Sequence, residues 1–454
     1  MSALISESTT YFKDFQRLDR SAEPAWLRQR RDIAIRQFEA RGFPGRKDEA
    51  WRNLRVNGFT QQHFQAATTP GALPMPLAPL AAMLPEACRK VLVDGYCSRN
   101  HSGLVRLPDG VQMRSLAALL AESPDAVEAD LGQHADIDDH PFAALNMAFA
   151  GDGVVIDVAA DVQPDQPLLL CMLASEGADG QISFPRVLIR TGIGAELTVV
   201  MLHAGPSGVG YAACPVTEIR AGANSRVTLH HIEQEGDQAQ HIGLIHADLQ
   251  RDARLQMRTF STGAAVARTD VVVNLHGPGA SAELSGLTLA GDRRYGDYHT
   301  TVRHLHGDCT STQLFKGVLD GRGETVFDGL IHVARDAQRT DARQENRNLL
   351  LAPRALAHSN PRLEIYADDV KCAHGSTVGQ LDADALFYLR SRGIGAADAR
   401  ALLTWAFANE VLDLVDIDAL RALQQEQLLA LLPGSVRVDE LADAAAFLTT
   451  DEEA

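Results

Sequence analysis

A short motif recurs through the middle of this chain at nearly constant intervals, and that period limits the fold more than any other feature. Small-residue corners stand at Gly194-Ala195, Gly222-Ala223, Asp252-Ala253, Gly279-Ala280, Asp308-Cys309 and Asp336-Ala337, with second members 28, 30, 27, 29 and 28 residues apart. Between them run short β-type segments such as Val154–Val158, Leu197–Leu202, Val227–Ile232, Val271–Leu275 and Thr325–Val333. After most corners apolar and polar residues alternate, as in Ala195-Glu196-Leu197-Thr198-Val199 and Ala253-Arg254-Leu255-Gln256-Met257. Alternation of that kind marks a half-buried strand. A fixed period near 28 residues, with no helix between the strands, predicts stacked coils: a β-solenoid. The alternative is a large β-sandwich with a turn about every 8–12 residues, two strands hidden in each repeat.

The flanks differ in texture. Residues 21–41 read as a helix, with Ser21 as N-cap, Pro24 in the first turn and Gly42 and Pro44 as its stop. The Pro- and Ala-rich stretch 66–86 reads as a linker, and helical pattern returns at Ser115–Leu120 and His140–Phe149. Beyond residue 375 the text turns helical again: Asp382 caps Ala383–Arg392, Leu403 to Leu414 mark a second helix, and Leu420 to Leu431 a third. The chain of 454 residues is too long for one core. We divide it into a mainly helical region 1–150, a solenoid 151–375 and a helical region 376–454, with the helical units expected to close the solenoid's two ends.

Net charge is −17, unevenly spread, with about +4 on residues 1–60 and about −9 on 376–454. That balance argues against a general nucleic-acid or anionic-membrane binder. Met1 to Phe15 lacks the pattern of a secretory signal, and no apolar run is long enough to span a bilayer. Six scattered cysteines without a CxxC read as reduced thiols, so a cytoplasmic protein is expected.

The densest polar cluster is Glu364-Ile365-Tyr366-Ala367-Asp368-Asp369-Val370-Lys371-Cys372-Ala373-His374-Gly375. On a strand, Cys372 and His374 face the same side, and a thiolate with an imidazole suits iron, zinc or copper. Two ligands do not complete a site, so the rest must come from elsewhere in the chain or from another chain; a chance CxH is the alternative. Lys371 is placed to lower the Cys372 pKa. His276, His299, His304, His306 and His332 form a second, looser set, with His304 and His306 on one strand face. Asp368 and Asp369 could be imagined as the acid–base pair of a polysaccharide-active β-helix enzyme, but adjacent strand residues face opposite sides. Gly393-Ile394-Gly395 looks like a helix–hairpin–helix turn; in so acidic a segment it reads as a protein-docking hairpin rather than a DNA clamp.

Leu363 to Gly375, followed by Val378-Gly379-Gln380-Leu381 and Ala385–Arg392, resembles the signature of the SufB/SufD family of iron–sulfur cluster assembly proteins in the SUF system. Thr340 to Leu351 is similar to the same family, and Gly42 to Trp51 resembles its SufD branch, departing from it at Arg52-Asn53-Leu54.

The resemblance implies a mainly β protein, a right-handed parallel β-helix between N- and C-terminal helical domains. It implies a scaffold and not an enzyme, with no intrinsic cofactor. Its partners would be SufB, through the β-helix, and the SufC ATPase, through the C-terminal helices, with no nucleic acid or membrane involved. A transient cluster would form at the SufB–SufD interface, where the family's histidine falls on His374 and Cys372 is the accompanying thiol. Leu386, Phe387, Arg390, Arg392 and Trp405 would serve ATPase docking. A SufB-type or homodimeric scaffold is the alternative.

Overall fold

The computed structural model describes residues 10–45, 47–54, 59, 62–72, 84, 87–98, 106–135 and 137–432. Most of the stretch expected to be a linker, at 73–83 and 85–86, lies outside them. The repeat is a parallel β-solenoid of about 8 turns. Each turn gives one strand to each of two sheets. The first sheet ends in Tyr295–His304, Glu324–Val333 and Leu356–Ile365; the second ends in Thr310–Leu319, Thr340–Leu350 and Val370–Gly379. Down the second sheet the paired residues run Glu196, Arg226, Arg254, Ser281, Thr310 and Asp341, steps of 30, 28, 27, 29 and 31. Parallel neighbours one coil apart exclude the sandwich, whose sheets are antiparallel.

A left-handed residue sets each corner: Gly194, Asn224, Asp252, Gly279, Asp308 and Arg339, all with φ between 57° and 72°. Gly, Asn and Asp enter that region at least cost. The next residue turns into the core, and Ala195, Ser225, Ala253, Ala280 and Cys309 are each fully buried. Ala223 and Ala337 are therefore two and three positions out of register, and Ser225 and Thr340 hold their places in the repeat.

Helices pack on the outer faces of the sheets. On the first lie α1 (Ala25–Arg41), α2 (Leu116–Glu122) and α3 (Pro141–Phe149), where Phe38, Phe142 and Leu145 meet Val155, Leu188 and Ile242. On the second lie α4 (Ala383–Ser391), α5 (Ala396–Leu412) and α6 (Asp418–Ala430), where Leu402, Trp405 and Val411 meet Ile232, Phe260 and Val318. Local signals set their ends. Ser115 Oγ accepts from the Ala118 amide at 3.2 Å, and Asp382 Oδ1 accepts from Asp384 and Ala385 at 2.7 and 3.1 Å. Helix α1 starts at Ala25, not at Ser21, because the Ser21 hydroxyl is engaged by Asp19 at 2.7 Å and Pro24 opens the helix.

Among the described residues the helical units do not close the solenoid's ends. Each sheet has an apolar outer face as well as an inner one, and the helices are used to cover it. The N-terminal end is finished by strands: Cys88–Val93 adds parallel to Leu168–Leu173, and Val111–Ser115 pairs antiparallel with Gly153–Val158. The sheets thus reach back before residue 151, and the last strand runs past residue 375 to Gly379. The described residues leave the opposite end open. Among the described residues no strand lies beyond Leu356–Ile365 or Val370–Gly379, and Leu356, Ile365, Tyr366 and Val378 are exposed there.

Candidate functional site

Two inward columns of the second sheet emerge at the open end. One runs Leu197, Val227, Leu255, Ala282, Ser311, Ala342 and Cys372; the other runs Val199, Leu229, Met257, Leu284, Gln313, Gln344 and His374. Register-matched residues of a parallel stack share a face, so Cys372 and His374 both belong to the solenoid's inner wall at its last coil. The sequence expectation that they share one face holds. Cys372 is half-buried against Ile331, Val333 and Ala342, and His374 is exposed.

The interior changes chemistry as it nears that end. Along these two columns Val, Leu and Met of the middle coils give way to Ser311, Gln313 and Gln344, with Thr300, Asn346 and Asn348 beside them. Thr300 donates to Gln313 at 2.7 Å, Asn348 to Asn346 at 2.7 Å, and Asn346 to the Phe315 carbonyl at 3.1 Å. Gln344, directly beneath His374, is 1% exposed, yet neither its Nε2 nor its Oε1 has a partner. A buried amide left in that state costs about 1–3 kcal/mol. The apolar stack is thus exchanged for a polar floor under the two candidate ligands.

Burial pushes the Cys372 thiol above its usual pKa, and the Asp341 carboxylate adds to this. The expected lowering by Lys371 fails because Lys371 pairs in register with Asp341 and, one residue from Cys372, faces the other side. Asp368 and Asp369 lie in the exposed turn between the last two strands, not on a strand, and the Asp369 carbonyl takes the corner amide of Arg339 at 2.6 Å.

The C-terminal candidates divide by exposure. Phe387 is 74% exposed, and Arg390 and Arg392 are exposed beside it, with Arg392 over the Tyr388 ring at 4.8 Å. Leu386 is half-buried, and Trp405 is buried in the interface with the second sheet, where it supports α5 and presents no surface of its own. Gly393-Ile394-Gly395 is the turn between α4 and α5, with Gly393 at φ 91°.

The looser histidine set does not come together. His304 ends its strand and bonds Ser311 inside the solenoid at 2.8 Å, whereas His306 lies beyond the strand in the corner. His276, His299 and His332 pair separately with Asp248, Asp297 and Glu364. Sequence reading missed a buried group in the middle coils. The His203 ring stands 5.0 Å from that of His231 and 4.8 Å from that of His241. Burial drives His231 down to about 3 and His203 well below its usual value. Burial also opposes a charge on His241, but the Glu235 carboxylate at 2.7 Å outweighs it and raises the pKa. Part of the signal lay in the period: His203 pairs in register with Glu233, and His231 stands two residues before Glu233 on the same face of that strand.

Fold and site together define a class: a parallel solenoid flanked by helices, with a thiol and an imidazole on the inner wall of an open last coil. Comparison with known proteins gives the family. A model described as the SufBD core domain of SUF system FeS cluster assembly matches residues 173–407, and one for the SufBD protein N-terminal region matches residues 5–170. The chain belongs to the SufBD family of the SUF iron–sulfur cluster assembly system. It is similar to an iron–sulfur cluster assembly SufBD family protein of Synechocystis sp., 30% identical over 83% of this chain and 85% of the relative. It is also similar to the iron–sulfur cluster assembly protein SufD of Escherichia coli, 29% identical over 89% and 92% of the two chains. SufD of Bacillus subtilis is 24% identical over 92% and 96%. No helix among the described residues is long and apolar enough to cross a membrane.

Proposed function

We propose that this chain is a non-catalytic, cytoplasmic scaffold of SUF cluster assembly that pairs with SufB through its open last coil. Cys372 and His374 then supply its share of ligands to a nascent iron–sulfur cluster, the cargo of the complex. The observation that carries this reading is the emergence of the two inward columns as Cys372 and His374 at the solenoid's open end. Two further features support it. The end strands Leu356–Ile365 and Val370–Gly379 present unpaired backbone edges and exposed apolar side chains, a liability in a free protein and a template for a second solenoid. The orphaned Gln344 amide beneath them gains partners once the end is covered. A thiol held neutral by burial needs a metal or a base from the partner to become a ligand.

The acidic C-terminal helices are assigned to the SufC ATPase, with Phe387 as the apolar anchor and Arg390 and Arg392 beside it. Leu386 and Trp405 hold that surface in place from beneath. The test is anaerobic cluster reconstitution with SufB and SufC, using wild type, Cys372→Ser and His374→Ala. The His374→Ala chain is expected to assemble with its partners and accumulate no cluster. Normal cluster formation in that variant would sink the assignment.

A further inference from the structure

A second ligand set lies on the outer face of the first sheet, away from the open end. Asp248 stands on the strand Gln240–Leu249, and its carboxylate gathers three imidazoles and an amide. His134 Nδ1 is 2.6 Å from Oδ2; His246 Nε2 and His276 Nε2 are 3.2 and 3.0 Å from Oδ1; Asn274 Nδ2 donates to Oδ1 at 2.8 Å. One ligand atom each from His134, His246 and Asp248 lies within 4.8 Å of the others.

The hydrogen bonding at His246 is over-subscribed. Arg303 donates to Asn274 Oδ1 at 3.3 Å, which turns the Asn274 NH₂ toward both Asp248 and His246 Nε2, the latter at 3.0 Å. His246 Nε2 thus lies within hydrogen-bond distance of both this NH₂ and Asp248 Oδ1, the latter at 3.2 Å. A ring nitrogen cannot accept from one neighbour and donate to the other. With Nε2 accepting from Asn274, its lone pair faces the Asp248 carboxylate oxygen, and the two repel unless a cation lies between them. Metal–ligand bonds of about 2.0–2.2 Å set neighbouring ligand atoms about 3 Å apart, and His246 Nε2 and Asp248 Oδ1 stand 3.2 Å apart. His134 Nε2, the other ring nitrogen, is buried and has no hydrogen-bond partner.

The site is also held in place beforehand. The loop that carries His134 donates its backbone N–H groups at Gly132, His134 and Ala135 to Glu218, at 3.1, 3.2 and 3.3 Å. Glu218 is itself fixed by Arg186. A ligand loop pinned by a buried ion pair is what a metal site requires of its surroundings. Beside Asp248 a cleft of about 300 Å³, lined also by Arg190 and Arg220, opens to solvent, and His276 is 41% exposed at the same carboxylate.

We infer that His134, His246 and Asp248 form a binding site for one divalent transition-metal ion of the Fe²⁺ or Zn²⁺ class, with His276 bonded to the same carboxylate from outside the ligand set. Two imidazoles and a carboxylate without thiolate select borderline ions over Cu(I) or a cluster. The ion would fasten the N-terminal region, through His134, to the solenoid, through His246 and Asp248. This goes beyond the scaffold reading and does not depend on it.

The experiment titrates the full chain with Co²⁺, read by visible absorption, and with Zn²⁺, read by calorimetry. It is run in a Cys372→Ser/His374→Ala background so that the open end contributes nothing. One equivalent is expected to bind, and His246→Ala or Asp248→Asn should weaken it by about 100-fold or more. His276→Gln and His134→Gln, at more accessible positions, provide variants that fold if the buried ones do not, and each should weaken binding by about tenfold. Melting of the metal-free variants within a few degrees of wild type confirms an intact fold. Absence of a saturable equivalent in that background, or affinity unchanged by all four substitutions, overturns the site.

Discussion

The most exposing perturbation of this fold is Arg186→Met. Arg186 and Glu218 are both buried, at 1% and 0% exposure, and meet through Nε and Nη2 on Oε2 at 3.0 and 2.8 Å. Nη1 continues to Asn146 on α3 at 2.9 Å, and the Asn146 amide reaches the Pro185 and Cys214 carbonyls at 3.0 and 2.8 Å. One ion pair therefore joins the 132–135 loop, α3 and two strands of the first sheet. Met fills the volume but leaves Glu218 a buried charge with only backbone N–H partners. Breaking such a pair costs about 3–5 kcal/mol, roughly two to three and a half orders of magnitude in the unfolding equilibrium. Arg186→Met/Glu218→Gln removes the stranded charge while Gln still accepts from the loop, so the double variant should be more stable than Arg186→Met.

The pH dependence has a definite sign. Burial raises the Glu218 pKa, but Arg186 and the backbone N–H groups outweigh it, and the folded value lies below the ordinary 4.5. The pair's contribution is thus present above pH 4.5 and lost as pH falls through the folded value. Without Arg186 the carboxyl protonates at higher pH, so the penalty of Arg186→Met should narrow on acidification. Urea unfolding followed by circular dichroism at pH 8 and pH 4.5 measures both effects. A penalty below about 1 kcal/mol, or one of equal size at both pH values, would refute the reasoning.

Three further outcomes are expected. Gly279→Ala should lose about 1–2 kcal/mol in thermal unfolding, since Gly279 has φ 72° and a Cβ there would stand 2.2 Å from Asp252 Oδ1. Trp405→Ala, at a buried position under α5, should cost about 3–5 kcal/mol; hydrogen exchange should rise across 396–430 and stay low across the solenoid strands. His203 and His231 are neutral when folded, with pKa values below the ordinary 6.5, so the unfolded chain binds more protons and stability falls as pH drops below 6.5. His231→Leu should flatten that slope in denaturation midpoints measured from pH 7 to 5, and an unchanged slope would remove His231 as its source.

The period was legible because corner stereochemistry is local: Asp252, Gly279 and Asp308 can turn left-handed at little cost, and each turn must be followed by a residue small enough to enter the core. Helix ends were legible for the same reason, at Ser115 and Asp382. The shared face of Cys372 and His374 follows from strand alternation alone. That this face is the inner wall of an open coil does not, because inside and outside depend on how the chain closes on itself. The sequence likewise suggests caps at the solenoid's ends, and only packing decides that the helices cover the outer faces. A helix buries its apolar stripe wherever the largest complementary surface lies, and here Ile232, Phe260 and Val318 offer more of it than a coil edge. Asp248 and Asn274 are one coil apart, so the period carries a trace of their meeting. His134, more than a hundred residues upstream, reaches them only through a loop that a buried Glu218 holds. Local chemistry sets the repeat of this protein, and tertiary closure sets which of its side chains can act together.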